Sequence, residues 1–199
     1  MDKLKTATVA YQGVPGCYSF QAVLDYFKKD VRTVRCHNFK GVLDRLIKNQ
    51  TDYGILPVEN STSGPISEVY ELLSKYKFLI VGKIDLMVRH SLLGVAGASF
   101  SDISQVYSHQ QALLQCGRFL SMHPDWKPMS YYNTAGSAEY ISKQNRKDIA
   151  CIAGKTAAKI YGLDILQEDI QDNSHNITKF IIINKAEKQS SYHKLSSNY

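Results

Sequence analysis

The sequence predicts an α/β protein of two lobes with a ligand cleft between them. Strand and helix patterns alternate along nearly the whole chain, which is typical of parallel strands joined by helical crossovers. The alternation restarts after one long extended segment, residues 78–88, so two sets of elements are present. In such a protein the ligand is expected in the cleft, near the carboxyl ends of the strands.

The first set of elements precedes and includes the long extended segment. Phe39, Val42, Leu43 and Leu46 recur at helical spacing, and they illustrate the apolar stripe that defines the predicted helices. The predicted strands are residues 6–11, 31–36 and 53–58, and the predicted helices are residues 20–27, 39–47 and 65–73. The division into lobes places residues 1–85 in lobe one.

The second set follows the extended segment and forms lobe two, residues 86–175. The predicted strands are residues 92–95, 105–107, 127–132 and 148–152, and the predicted helices are residues 111–120, 135–142 and 155–161. A final strand at residues 179–184 is assigned to lobe one, within residues 176–185. The remaining residues, 186–199, are rich in Ser, Lys and Gln without periodicity, so we expect a disordered tail.

Composition limits the classes of function. With 44% hydrophobic and 21% charged residues, the chain of 199 residues has the composition of a globular protein. It contains no apolar run near the roughly 20 residues that span a bilayer, and residues 1–5 lack the apolar core of a signal peptide. We therefore expect a cytoplasmic protein with no membrane partner.

Cysteines and charge narrow the choice of ligand. The four cysteines are widely spaced with no Cys-x-x-Cys pair, so neither a metal site nor a redox motif is expected. The net charge of +6 fits an anionic ligand, but the basic residues are scattered and no aromatic-interleaved basic stripe is present. The sequence thus favours an anionic small molecule over nucleic acid.

Four strand-to-helix junctions carry Ser, Thr, Asn or Gly where a helix begins. They are residues 13–19, 59–64, 108–111 and 133–136. The unpaired N–H groups at a helix start bind anions, and several starts facing one cleft fit a ligand with more than one carboxylate. Each junction taken alone also fits ordinary helix capping.

These junctions resemble the prephenate dehydratase family. The resemblance includes the glycine-rich loop at residues 13–19, Glu59-Asn60-Ser61, Ser108-His109 with Gln115, and Asn176-Ile177-Thr178-Lys179-Phe180. It runs in unbroken order from about residue 6 to residue 183. It implies a fold of two lobes resembling type 2 periplasmic solute-binding proteins, with the substrate in the interlobe cleft.

The resemblance also implies a reaction. Prephenate would lose its ring carboxylate as carbon dioxide and its C4 hydroxyl as water, with no metal or organic cofactor. Three alternatives remain open: an arogenate dehydratase, a non-catalytic small-anion-binding protein, and a prephenate decarboxylase, which we would expect to lack the Thr178 signature. The oligomeric state, including a homo-oligomer, is also left open.

The implied catalytic residues are Thr178, Asn60, Gln115 and Glu59. Thr178 would donate a hydrogen bond to the departing hydroxyl, although by sequence alone it is an ordinary β-branched strand residue. Asn60 and Gln115 are amide donors that would orient the substrate. Glu59 is either a buried acid with a raised pKa or a residue that positions Asn60.

The implied substrate-binding residues are the polar side chains of the junctions and one cation. They are Ser108, Ser61, Ser19, Thr134 and Lys179. Lys179 stands where the family pattern has Arg, so it keeps the charge but lacks the planar fork that clamps a carboxylate. His109 either affects the pH response or is an ordinary solvated or core histidine.

Many family members continue into a phenylalanine-binding ACT domain, and some carry a chorismate mutase domain. Neither fits within these 199 residues. We therefore expect a chain that is either naturally short or the excised catalytic part of a longer enzyme, and no inhibition by phenylalanine.

Overall fold

The computed structural model of the protein describes residues 6–28 and 31–185, in which seven α-helices pack on two sheets. The predicted disordered tail, residues 186–199, lies outside the described residues. The helices are α1 (Tyr18–Phe27), α2 (Phe39–Ile47), α3 (Ser67–Lys75), α4 (Gln110–Gln115), α5 (Gly117–Ser121), α6 (Thr134–Gln144) and α7 (Lys155–Tyr161). Within the described ranges, none of these helices is long and apolar enough to cross a membrane.

The first sheet has the strand order β2-β1-β3-β11-β5, with the short strand β4 paired to β3. Its strands are β1 (Ala7–Gln12), β2 (Val31–Cys36), β3 (Tyr53–Asn60), β4 (Gly64–Pro65), β5 (Phe78–Met87) and β11 (Ile177–Lys185). β1 pairs in parallel with β2 and β3, whereas β11 runs antiparallel to both β3 and β5. β11 is therefore an interior strand, which explains why Ile182 and Ile183 are fully buried.

The second sheet has the strand order β10-β6-β9-β7-β8. Its strands are β6 (Ser91–Gly94), β7 (Gln105–Ser108), β8 (Lys127–Ser130), β9 (Ile149–Ala153) and β10 (Asp164–Gln167). β7 pairs in parallel with β8 and β9, and β6 runs antiparallel to β9 and β10. Every residue of β9 is buried, as expected for a central strand covered by helices on both faces.

Each sheet has an apolar core on both faces. In the first sheet, α1 contributes Phe20 and Val23 to one core, and α2 contributes Val42, Leu43 and Leu46 to the other. Full burial of one such side chain contributes about 1.5–3 kcal/mol. The helical spacing in the sequence thus corresponds to the buried faces of α1 and α2.

The chain passes between the sheets twice, at residues 88–90 and at residues 168–176. The two connections lie against each other. Val88 N donates to Asn176 O at 2.7 Å, and Ile170 N donates to His90 O at 3.0 Å. The sites of crossing are therefore linked by hydrogen bonds near the cleft.

The predicted α/β class with two sets of elements is confirmed. The expectation of parallel strands holds for β1 to β3 and for β7 to β9, but it is wrong for the antiparallel β5, β6, β10 and β11. The helix predicted at residues 111–120 is two helices, because Cys116 leaves the helical conformation at φ −115° and ψ 24°. The helix predicted from Pro65 begins at Ser67, because Pro65 pairs with Glu59 in β4.

Candidate active-site cleft

A cavity of about 280 Å³ lies between the two sheets and is walled by residues from both. Its polar lining consists of Tyr18, Asn60, Ser63, His90, His109, Gln111, Gln115, Asn133, Thr134, Asn176 and Thr178. No Asp, Glu, Lys or Arg is among the described residues that line it. An anionic ligand in this cavity would therefore be held by neutral hydrogen-bond donors.

Thr178 and Asn60 face each other across the pairing of β11 with β3. The Asn60 Nδ2 group donates to Thr178 Oγ1 at 2.9 Å. The hydroxyl oxygen of Thr178 is therefore an acceptor in this contact, and its own hydrogen remains available for donation. Because Thr178 is 8% exposed, that hydroxyl group belongs to the floor of the cleft.

Both ends of the Asn60 amide are held. Besides Thr178, Nδ2 donates to Asn176 Oδ1 at 2.6 Å. Oδ1 accepts from the backbone N–H groups of Thr62 and Ser63, each at 3.0 Å. The orientation of the amide is thus fixed by the turn that follows β3, and Nδ2 is presented to Thr178 in one direction.

His90 links the two walls of the cleft. It is 2% exposed and lies in the first connection between the sheets. Its Nδ1 atom is 2.8 Å from the hydroxyl of Tyr18, at the start of α1, and its Nε2 atom is 2.9 Å from Gln115 Oε1, at the end of α4. The imidazole ring therefore connects an element packed on the first sheet with an element packed on the second.

Burial lowers the pKa of His90, and the hydrogen bond to Gln115 acts in the opposite direction. Burial also raises the pKa of the Tyr18 hydroxyl, so this group stays protonated. A neutral imidazole donates through one nitrogen only. In the tautomer protonated at Nε2, His90 donates to Gln115 Oε1, and the NH₂ group of Gln115 is then the part of the amide left for a ligand.

The start of α6 forms a further part of the wall. Asn133 is the N-cap, and its Oδ1 accepts from Gly136 N. Thr134 is the first residue of this 11-residue helix and lines the cavity. A helix N-terminus presents unpaired N–H groups and a positive dipole end, so this wall suits a carboxylate.

The structure brings Thr178, Asn60, Gln115 and Thr134 of the predicted set to the cavity. It places five others elsewhere: Ser108, Ser61, Ser19, Glu59 and Lys179 are absent from its lining. Ser108 is fully buried and donates to Ile152 O at 2.6 Å, whereas Ser61 donates to His175 O at 3.0 Å. These two hydroxyls hold backbone groups of the fold.

Glu59 and Lys179 form an ion pair on the outside of the cleft wall. Lys179 Nζ is 3.1 Å from Glu59 Oε2, with the side chains 52% and 42% exposed. The hydrogen bond with Glu59 and its charge raise the pKa of Lys179. Neither residue contacts the cavity, so neither occupies a position from which it could clamp a ligand there.

Sequence reasoning missed His90 as a site residue. A lone histidine has no spacing that marks it, and only its position just after the long extended segment set it apart. Tyr18 and Asn176 lie inside segments that carry the resemblance, and Asn133 lies in a predicted strand-to-helix junction, but the sequence assigns none of them an individual role. His109 lines the cavity, and its Nδ1 accepts from Gln111 N at the start of α4.

The loop between β1 and α1 contacts α7, which belongs to the elements packed on the second sheet. Gly16 has φ +86°, and a Cβ added there would lie 2.8 Å from the Cα of Ala157 in α7. Tyr161, also in α7, donates its hydroxyl to Pro15 O at 2.8 Å. Only glycine permits both this φ and this approach, so the loop and α7 are closely packed.

The part of the chain that the structure describes contains no candidate metal site. No group of three or more His, Cys, Asp or Glu residues within residues 6–28 and 31–185 could hold a metal ion.

Sequence comparison identifies relatives over most of the chain. A family model described as prephenate dehydratase matches residues 9–188. The chain is 35% identical over 192 residues to the bifunctional chorismate mutase/prephenate dehydratase of Buchnera aphidicola subsp. Acyrthosiphon pisum (strain APS), covering 94% of this chain and 50% of that protein. It is 40% identical over 175 residues to the chloroplastic arogenate dehydratase/prephenate dehydratase 1 of Arabidopsis thaliana, covering 88% and 44%.

The chain thus spans about half the length of the curated relatives it matches. Among solved structures, a prephenate dehydratase from Arthrobacter aurescens in complex with L-Phe has a TM-score of 0.82 at 24% identity, covering 90% of this chain and 60% of that one, which shows the fold. A protein described as GqqA, a quorum-quenching acylase, also has a TM-score of 0.82, at 29% identity, covering 90% and 64%.

Proposed function

This chain belongs to the prephenate dehydratase family, and from that membership we propose that it converts prephenate to phenylpyruvate. The observation that carries the proposal is the contact of Asn60 with Thr178 on the floor of the cleft. It leaves one hydroxyl hydrogen, in a cavity between two sheets, for the departing oxygen of the substrate.

The reaction needs no redox step. The bond from the ring to its carboxylate breaks and releases carbon dioxide. The electron pair moves into the ring, and the bond from C4 to its hydroxyl breaks. The departing hydroxide takes up one proton and leaves as water, so one proton is consumed for each prephenate dianion. The aromatic ring that forms supplies the driving force.

The chain's contribution is stabilisation of the departing oxygen. A threonine hydroxyl is a poor acid, so Thr178 acts by donating a hydrogen bond instead of transferring its proton outright. Such a bond is stronger where water is excluded and the donor is already oriented, and Asn60 provides that orientation. One positioned donor of this kind typically contributes ~10²–10³ in rate.

Neutral donors would hold the two carboxylates. The NH₂ group of Gln115 and the start of α6 at Thr134 lie on the second-sheet wall, and the turn at Ser63 lies on the first-sheet wall. The absence of a cation from the described lining fits a reaction that must release one carboxylate as carbon dioxide, because a salt bridge to that group would stabilise the substrate more than the transition state.

Acyl hydrolysis, the activity in the description of GqqA, is a second candidate that the geometry does not favour. A nucleophilic hydroxyl requires a neighbouring base. The hydroxyl groups of Thr178 and Ser63 contact the amide of Asn60, and neither has a hydrogen bond to a histidine or a carboxylate in the described part of the chain. We therefore propose dehydration in preference to hydrolysis.

The test is turnover by the purified chain of prephenate and of arogenate, measured separately. Phenylpyruvate is read by its absorbance in alkali, and phenylalanine formed from arogenate is read by chromatography. We expect prephenate to be turned over with the higher kcat/KM, and the activity to disappear in Thr178→Ala. Turnover of neither substrate by a folded chain would show that it is a binding protein of this fold.

We also propose the cytoplasm as the compartment and two lobes with boundaries near residues 85 and 176. All four cysteines are free thiols, which fits a reducing compartment. The lobe boundaries are supported by the end of β5 at Met87 and the start of β11 at Ile177. Limited proteolysis tests the boundaries, since cleavage is expected in the connections at residues 88–90 and 168–176 before it occurs within a sheet.

A further inference from the structure

A second cavity, of about 920 Å³, lies beside the cleft along the free edge of β2. Its walls come from β2, the start of α2 and the first loop, and on the other side from Tyr132 and Asn133. Asn133 lines both cavities, so they are neighbours. Thr178, Asn60 and Gln115 do not line the second one, so the proposed reaction makes no use of it.

The charge of this cavity is positive and not compensated. Arg32 and Arg35 of β2 and Arg45 of α2 line it, and no Asp or Glu is among the described lining residues. Arg32 and Arg35 form no ion pair within the described ranges, and Arg45 donates to the neutral Gln50 at 2.9 Å.

Two acidic residues of the helices beside the cavity are already paired. Asp44 of α2 pairs with Lys40 at 2.8 Å, and Glu139 of α6 pairs with Lys143 at 2.6 Å. Arg32 and Arg35 are three residues apart in β2, so their side chains leave opposite faces of this edge strand. No acidic side chain in the described lining offsets the positive charge of the cavity. A bound anion would offset it.

Protection of a free sheet edge does not account for the arrangement. Charged residues on an edge strand do discourage pairing with another chain, and this explains arginines on β2. It does not explain Arg45, which lies on a helix, or the wall contributed from the second sheet. Burial raises the pKa of Tyr132 and the charge of Arg35 acts in the opposite direction, as expected for two groups that line the same cavity.

We propose that this cavity binds a phosphorylated small molecule. The planar guanidinium group matches phosphate oxygens with two parallel hydrogen bonds, which Arg35, on the same cavity as Tyr132, can offer to a ligand. The cavity volume lies within the ~300–1,000 Å³ typical of small-molecule sites. Because Arg35 and Asn133 lie on opposite walls, the ligand would contact elements of both sheets. This inference does not depend on the proposed reaction.

Calorimetric titration of the whole chain with inorganic pyrophosphate, at constant ionic strength, tests the proposal. We expect saturable binding at one site, weaker binding of citrate, and no saturable signal with sodium chloride. Arg35→Gln should weaken pyrophosphate binding at least about tenfold, because a charge-assisted pair is lost. Arg118→Gln is the matched control, since it removes an exposed arginine outside this cavity, and it should change the affinity less than about twofold.

Three outcomes would overturn the proposal. Non-saturable binding, or an equal loss in Arg35→Gln and Arg118→Gln, would mean that the anion only screens the net charge. Citrate binding as tightly as pyrophosphate would exclude a preference for phosphate. Competitive displacement of pyrophosphate by prephenate would assign the cavity to the substrate. Melting temperatures of both variants show that each is folded, and Arg45→Gln repeats the test if Arg35→Gln is not.

Discussion

The hydroxyl oxygen of Thr178 accepts a hydrogen bond from the side-chain amide of Asn60, across the neighbouring strands β11 and β3. The two residues are 118 positions apart in the chain. Replacing Thr178 with Ala should lower kcat/KM for prephenate by roughly 10²–10³, because one oriented donor is lost. Thr178→Ser keeps the hydroxyl and should retain most activity. Wild-type turnover by folded Thr178→Ala protein would refute the role.

Asn60→Asp tests the orientation of that hydroxyl with almost no change of shape. The carboxylate still accepts from the N–H groups of Thr62 and Ser63 but cannot donate to Thr178. The Thr178 hydroxyl would then donate to Asp instead of the substrate. We expect kcat to fall by about as much as in Thr178→Ala, again ~10²–10³. Unchanged kcat at pH 7 would show that Asn60 does not position Thr178.

The burial of His90 should make the stability of the fold depend on pH. Its pKa in the folded chain is lowered by burial, so the unfolded chain binds more protons as the pH falls below the usual value of about 6.5. The contribution of neutral His90 is fully present above that pH and is lost as the pH falls through the folded-state pKa. The free energy of unfolding, from urea titrations between pH 5 and pH 8, should therefore fall more steeply in the wild type than in His90→Gln.

The exposed His37 provides the control for that experiment. His37→Gln should leave the steep fall of the wild type in place, because His90 is still present. Parallel pH profiles for the wild type and His90→Gln would contradict the assignment of this dependence to His90.

Lys179→Arg should change the kinetic parameters very little. Lys179 pairs with Glu59 at an exposed position outside the cavity, and exposed ion pairs contribute little to stability. We expect KM and kcat for prephenate within about twofold of the wild type, because the replacement keeps the charge at a position away from the cavity. A large change in KM would show that Lys179 reaches the substrate in the working enzyme, contrary to its position here.

Gly16→Ala should destabilise the chain for two reasons, the positive φ and a steric clash. Gly162→Ala is the control for the first reason alone. Both glycines have positive φ, +86° and +64°, but a Cβ at Gly162 meets no atom within 4 Å. Gly162→Ala should therefore lower the free energy of unfolding by roughly 1–2 kcal/mol, the conformational cost alone. Gly16→Ala should lose about 1–3 kcal/mol more, because it also collides with the Cα of Ala157. Equal losses in urea titrations would mean that the loop moves away freely.

Local pattern was enough to predict the class of fold and most helices, because the apolar stripe of a helix such as α2 is visible within a short stretch of sequence. It could not predict strand direction. β11 runs antiparallel to β3 because of contacts far apart in the chain, and no residue of β11 encodes that by itself. β10 was missed for a related reason, since it is mostly exposed and shows no alternation.

The candidate site was likewise only partly predictable from the sequence. Resemblance pointed to Thr178, Asn60 and Gln115, but their hydrogen bonds are tertiary and were not predictable from spacing. The hydroxyls of Ser61 and Ser108 looked like ligand donors by sequence, yet backbone carbonyls accept from them. His90 shows the opposite error, since nothing in the sequence marks it, and the fold alone places its ring between Tyr18 and Gln115.

The interior position of β11 has a consequence for how the chain folds. β5 pairs with β11, which is the last strand of the described residues. During synthesis, about 90 further residues must therefore be made before β5 can pair. Until then β3 and β5 present open edges, and the second sheet can form first because its strands are contiguous in sequence. The same insertion brings Thr178 to Asn60, so the step that closes the first sheet also assembles the proposed catalytic pair.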